Sequence, residues 1–177
     1  MMSRKIMEEK LKFKEYVEEL NNNIKKSNSI VSLLDIEEGE EKISWKEIPD
    51  KPGILAICRI PDYNENLWFK TTNEANNNKK QNLEWINPLV MYIGESSNLR
   101  NRMRSHFTLN KHEDVGNSIF QKVLVQMIGD WRIVKENILR SKNTTVTWIT
   151  LPEDLDKKQR EEIKRQAIEK IKPRLNF

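Results

Sequence analysis

The sequence predicts an α+β fold, three strands flanked by helices, and three observations carry that prediction. Short apolar or β-branched runs occur at residues 54–60, 89–93 and 144–151. Segments with helical periodicity stand before, between and after them. One long polar excursion, at about residues 61–88, separates the first two runs. With 177 residues the chain has room for one core and an appendage. It divides into a helical extension over residues 1–45 and a domain over residues 46–177 that carries the excursion as an insertion.

Taken in order, residues 1–26 place Phe13, Tyr16, Val17 and Leu20 at helical spacing, with no proline or glycine before the Asn21-Asn22-Asn23 run that ends the pattern. Such a helix lies against the core or a partner. Residues 27–51 are irregular and include an acidic stretch, Glu37 to Glu41, around Gly39. Asp50-Lys51-Pro52-Gly53 reads as a turn into the first strand. Within the excursion, asparagines and the Lys79-Lys80 pair mark a loop, and Leu67-Trp68-Phe69 predicts a short extra strand.

The second strand, Leu89 to Ile93, stops at Gly94. Ser96, Ser97 and Asn98 are good helix caps, and an arginine-rich helix over residues 99–107 follows. A further helix sets Ile119, Phe120, Val123, Leu124, Met127 and Ile128 on one face and stops near Gly129. Another starts at Asp130 and runs through Trp131, Ile133, Val134 and Ile138. After the third strand, a charged helix over about residues 154–172 turns Ile163, Ala167, Ile168 and Ile171 inward until Pro173 ends it.

Composition narrows the function. Hydrophobic residues make up 37% and charged residues 33%, the balance of a polar globular protein. A single cysteine, Cys58, excludes an internal disulfide and a multi-cysteine zinc site, and fits a reducing cytoplasm. Residues 1–25 hold no apolar stretch fit for a signal sequence or a membrane span. A net charge of +4 and a pI near 9.1 lean toward polyanionic partners. The clustering of Arg100, Arg102 and Arg104 ahead of His106 is more pointed than the total.

A strand, a glycine and then a helix is an order suited to holding phosphate, because the first turn of a helix offers unpaired N–H groups. On that helix Asn98, Arg102 and His106 share one stripe, and Leu99, Met103 and Phe107 share the next. One stripe is free to face a ligand while the other packs.

At these residues the chain resembles the GIY-YIG nucleases. Tyr92-Ile93-Gly94, followed by Ser96, Asn98-Leu99 and the Arg102/His106 pair, is similar to the second signature of that family. Pro52-Gly53-Ile54-Leu55-Ala56-Ile57 resembles the first signature, and Pro173-Arg174-Leu175-Asn176 the terminal element. The resemblance implies a small three-stranded antiparallel sheet flanked by helices, acting on DNA or, less often, RNA. It also implies that Tyr92 assists deprotonation of water, that Arg102 holds phosphate, and that His106 and Asn176 complete the catalytic group. Gly94, Ser96, Asn98, Arg100 and Arg104 become candidate nucleic-acid contacts.

Two positions depart from the family pattern. The first-signature tyrosine falls on Leu55, which can neither give nor take a proton, and the metal-binding glutamate falls on Lys164, whose ammonium repels a cation. The resulting expectation is a nucleic-acid-binding protein that grips the phosphate backbone through Arg102 and His106, with Lys164 as a further contact and with cleavage in doubt. One alternative is a Mg²⁺- or Mn²⁺-dependent endonuclease on DNA that uses Tyr92, Arg102 and Glu161 as a substitute metal ligand. Another is a protein-interaction module that engages a partner, or a second copy, through the N-terminal helix.

Overall fold

The structure, a computed structural model, describes residues 4–30, 34–37, 40–43, 45–60, 89–107 and 118–176. The insertion at 61–88, with the expected strand at Leu67-Trp68-Phe69, lies outside them. Helix α1 spans Arg4–Ile24 and leads to β1 (Asn28–Ser29), β2 (Leu34–Glu37) and β3 (Glu40–Ile43). A single helical turn, Trp45–Glu47, precedes β4 (Gly53–Arg59) and β5 (Leu89–Ser96). Helices α2 (Leu99–Phe107), α3 (Ile119–Ile128) and α4 (Trp131–Val134) follow, then β6 (Thr144–Thr150) and α5 (Lys157–Ile171).

The three expected strands form one antiparallel sheet with β4 in the centre, β5 on one side and β6 on the other. Two additions go beyond the three-stranded expectation. The two-residue β1 pairs with Thr145 and Val146 of β6, and β2 and β3 form a separate hairpin. Both lie in residues 27–51, which read as irregular from sequence: β1 is two polar residues, and although Leu34 and Ile36 of β2 alternate with Asp35 and Glu37, four residues are too few to mark a strand.

Helices cover both faces of the sheet, which is why every residue of β4 is buried. Ile54, Ala56 and Cys58 face α1 and α5, whose Phe13, Val17, Leu20, Ile163 and Ala167 complete that layer. Burial pushes the Cys58 thiol up to about 12, so it stays protonated. Leu55 and Ile57 face the other way, into a cluster with Tyr92, Leu99, Met103, Phe107, Phe120 and Leu124. The extension helix therefore builds one wall of the same core as the domain behind it.

Between Ile57 and Cys58 the β4–β5 register slips by one residue, from Tyr92 to Val90, and leaves Met91 as the extra residue of a bulge. Met91 and Tyr92 consequently both turn toward the α2 layer. The bulge turns Met91 to the face that Tyr92 occupies through its pairing with Ile57.

Helix boundaries follow their caps. Ser118 caps α3, and Gly129 closes it with φ 79°. Asp156 and Gln159 form a reciprocal capping box at the start of α5, which is why that helix begins later than its charge pattern implied. The inward face of α3 is narrower than expected: Phe120 and Leu124 are buried, whereas Ile119 is 58% and Met127 54% exposed. A helix face seats only about a third of its residues on a core, and seven of the ten in α3 are apolar. Beyond Asp130, α4 is a short α-helix that widens into a π-helical turn over Lys135–Leu139, leaving Ile133 partly exposed. The wide turn presents carbonyls sideways: Arg59 Nη1 donates to Asn137 O at 2.8 Å, and Thr144 Oγ1 to Ile138 O at 2.6 Å. Among the described residues no helix is long and apolar enough to cross a membrane.

Candidate anion-binding site at the outer edge of the sheet

Helix α2 is seated by its first turn. Leu99 N donates to Lys51 O at 2.9 Å, Arg100 N to Pro49 O at 3.2 Å, and Asn101 N to the Asn98 side chain at 2.9 Å. These are the amides expected to face phosphate. They are occupied by the chain itself, so the helix N-terminus is not an open anion site.

The side chains around that turn are engaged in the same joint. Ser96 Oγ accepts from Asn98 N at 3.0 Å and donates to Asn98 O at 2.8 Å, while Asn98 Nδ2 donates to Asp50. Arg100 Nε donates to Ile48 O at 2.9 Å, and its guanidinium lies 4.0 Å from the Asp50 carboxylate. Arg104 stacks over Trp45 at 5.9 Å from the ring centroid. Ser96, Asn98, Arg100 and Arg104 thus tie α2 to residues 45–51 rather than lining an empty surface.

Arg102 leaves the opposite flank of α2. Its Nη2 donates to Tyr92 Oη at 3.1 Å, so the phenol keeps its own proton to give to a further acceptor. Gly94 makes the contact possible: a Cβ there would lie 2.9 Å from Tyr92 Cε1 and 3.2 Å from its hydroxyl. Arg102 is half-buried, its Nε has no hydrogen-bond partner, and no carboxylate pairs with it among the described residues.

His106 plays a different part from the one its spacing suggested. It is fully buried behind Tyr92, with ring centroids 5.1 Å apart, and against Phe120 at 5.8 Å. Ser118 Oγ sits 2.7 Å from Nδ1 and also accepts from Gln121 N at 3.2 Å, whereas the buried Nε2 has no hydrogen-bond partner. Gln121 Nε2 closes the group on His106 O at 2.6 Å. Burial, reinforced by the Arg102 charge, lowers the His106 pKa to about 3. His106 is a neutral support for Tyr92 and does not reach a surface ligand. Ser118 and Gln121 escaped the sequence reading, although Ser118-Ile119-Phe120-Gln121 carries the serine-x-x-glutamine spacing of a helix start.

This burial gives a pH dependence with a definite sign. Because the native pKa lies near 3 and the ordinary value is 6.5, only the unfolded chain takes up a proton here between those limits. The contribution is fully present above pH 6.5 and is lost as pH falls toward 3. Unfolding midpoints measured from pH 7 to 4 should fall more steeply for the wild type than for His106→Gln; equal slopes would remove His106 as the cause.

The remaining expected site residues are at hand but differently used. Leu55 is fully buried, with Gly94 its neighbour on β5 and Trp148 on β6. Asn176 accepts from Ile93 N and donates to Ile93 O, both at 2.7 Å, while Arg174 N and Leu175 N donate to Val90 O and Met91 O. Its amide is spent on the backbone of β5.

Glu161, the substitute metal ligand, is half exposed and pairs with Lys157 at 3.7 Å. The carboxylate of Glu95 is held by Arg160 at 3.2 Å. Lys164 is half-buried one turn beyond Arg160. This donor set does not suit a divalent cation: the assigned position is a lysine, and the neighbouring carboxylates already carry cationic partners. A groove between α1 and α5, lined by Lys10, Lys14, Glu18, Glu162 and Arg165, lies on the other flank of α5 and mixes both signs of charge.

Comparison of the chain with protein-family models, with characterised proteins and with solved structures finds no match.

Proposed function

We propose that the protein binds the phosphate backbone of nucleic acid at the outer edge of β5 and does not cleave it. The observation that carries this reading is Arg102, a guanidinium with no carboxylate partner among the described residues, resting on the Tyr92 hydroxyl. Guanidinium and phenol each have a donor to offer a ligand, the requirement for an oxyanion, and the planar fork of an arginine suits phosphate. The resemblance to GIY-YIG nucleases supports nucleic acid as the source of that phosphate, because Tyr92, Gly94 and Arg102, three residues of the shared pattern, come together here.

Cleavage by that family's route requires a proton acceptor where Leu55 stands and a carboxylate where Lys164 stands. Glu161 pairs with Lys157 instead of supplying one, which favours the reading without metal over the endonuclease. We place the protein in the cytoplasm, in keeping with its single buried thiol.

The test is one gel. Purified protein is incubated with labelled single- and double-stranded DNA and RNA, in Mg²⁺, in Mn²⁺ or in chelator. Retarded bands of equal strength with and without metal, weakening steeply with salt and free of cleavage products, are expected. Metal-dependent cutting would establish the endonuclease instead, and absence of retardation on every substrate would end the proposal.

A further inference from the structure

Helix α5 runs alongside β5 in the opposite direction. Arg160, near its start, bonds Glu95 at 3.2 Å, and Arg174, just past its end, bonds the backbone of Val90 at 3.0 Å. Lys164 stands one turn beyond Arg160, ~6 Å along the helix. That advance matches about two strand residues at ~3.3 Å each, so Lys164 lies level with Ile93 and hence beside Tyr92 and Gly94.

The flanks of α5 fix which way Lys164 faces. Gln159 bonds Glu9 and Lys170 bonds Glu18, so that flank meets α1. Arg160 and Lys164 share the opposite flank, above the outer edge of β5. Arg174 joins them at the edge itself: its N–H bonds Val90 O at 3.0 Å and its side chain is exposed.

Charge pairing and position together pick these two out. Lys157, Arg160, Arg165 and Lys170 each meet a carboxylate, on Glu161, Glu95, Glu162 and Glu18 respectively. Lys158, Lys164, Lys172 and Arg174 meet none among the described residues, and of these Lys164 shares the Arg160 flank while Arg174 is anchored on Val90 O. With Arg102 on the other face, three cations without a counter-ion among the described residues stand along one stretch of β5, from Val90 to Glu95.

We infer that Lys164 and Arg174 form a second bank of phosphate contacts, so that a nucleic-acid strand lies along the β5 edge gripped from both faces of the sheet. This rests on the binding proposed for Arg102 and adds the path of the ligand and two further binding residues. Each phosphate contact adds ~0.7–0.9 to the slope of log affinity against log salt.

The experiment is fluorescence anisotropy of a labelled oligonucleotide over a range of salt. The proteins are wild type, Arg102→Gln, the double variant Lys164→Gln/Arg174→Gln and the conservative Lys164→Arg/Arg174→Lys, each checked by circular dichroism. The double variant should lose about tenfold in affinity at 0.1 M salt and about 1.5 from the slope, with the conservative pair near wild type. A double variant with wild-type affinity and slope, beside a weakened Arg102→Gln, would overturn the second bank and leave the Arg102 site standing. A weakened double variant beside an unaffected Arg102→Gln would overturn the Arg102 site and, with it, the grip from two faces. No binding by the wild type overturns both.

Discussion

Replacing Arg102 by alanine is expected to weaken oligonucleotide binding by about ten- to a hundredfold, the loss of a hydrogen-bonded charge worth ~1.5–3 kcal/mol. The fold should survive, because the bond lost inside the protein is the one to Tyr92 Oη, at 3.1 Å. Tyr92 then keeps its hydroxyl but presents no charge. Arg102→Lys should recover only part of the affinity, since an ammonium restores the charge without the planar fork. Anisotropy titrations at low salt, with thermal melts as a control, decide the matter. Affinity unchanged in the alanine variant would mean that the ligand binds elsewhere.

The largest effect on stability is expected at Gly53. A Cβ there would lie 2.2 Å from Ile149 O and 2.6 Å from Leu99 Cδ1. Leu99 can turn aside. Ile149 O belongs to the backbone of β6, paired with β4 along its length, and cannot retreat without breaking the ladder. Gly53→Ala should therefore cost more than ~3 kcal/mol, which lowers the melting temperature of a domain this size by about 10 °C. It should also loosen α2, whose Leu99 packs at that point. By contrast, Gly94→Ala meets the mobile end of the Tyr92 side chain and should disturb the site more than the fold. A melting curve for Gly53→Ala that overlays the wild type would show that the sheet accommodates the methyl group and that this account of α2 seating is wrong.

How far the sequence foretold these features depends on whether the cause was local. The bounds of α2 agree with the capping residues before it, and β4 and β6 with their apolar runs to within a residue, because periodicity and caps are local properties; β5 instead runs on through Gly94 to Ser96, three residues past its apolar run, because pairing with Gly53, Ile54 and Leu55 of β4 decides where it ends. The β2–β3 hairpin, the π-helical turn and the exposed side of α3 were not legible, since pairing partners and neighbouring helices decide them. The same division runs through the site. Tyr92, Gly94 and Arg102 could be read from their spacing. The joint made by Asn98 and Arg100 could not, because its acceptors include the backbone carbonyls of Ile48, Pro49 and Lys51, which leave no mark on residue type. Nor could the depth of His106 be read, since Ser118 and Phe120 bury it from another helix.

The pairing of Arg174, Leu175 and Asn176 with β5 also bears on how molecules of this protein meet one another. An outer strand with bare N–H and C=O groups is a template on which a second chain can add its own strand. Here Val90, Met91 and Ile93 offer those groups to their own chain, and Asn176 closes both backbone polar groups of one residue with a single side chain. The edge that carries positive charge is thereby barred to foreign strands, and what approaches it must come by way of side chains.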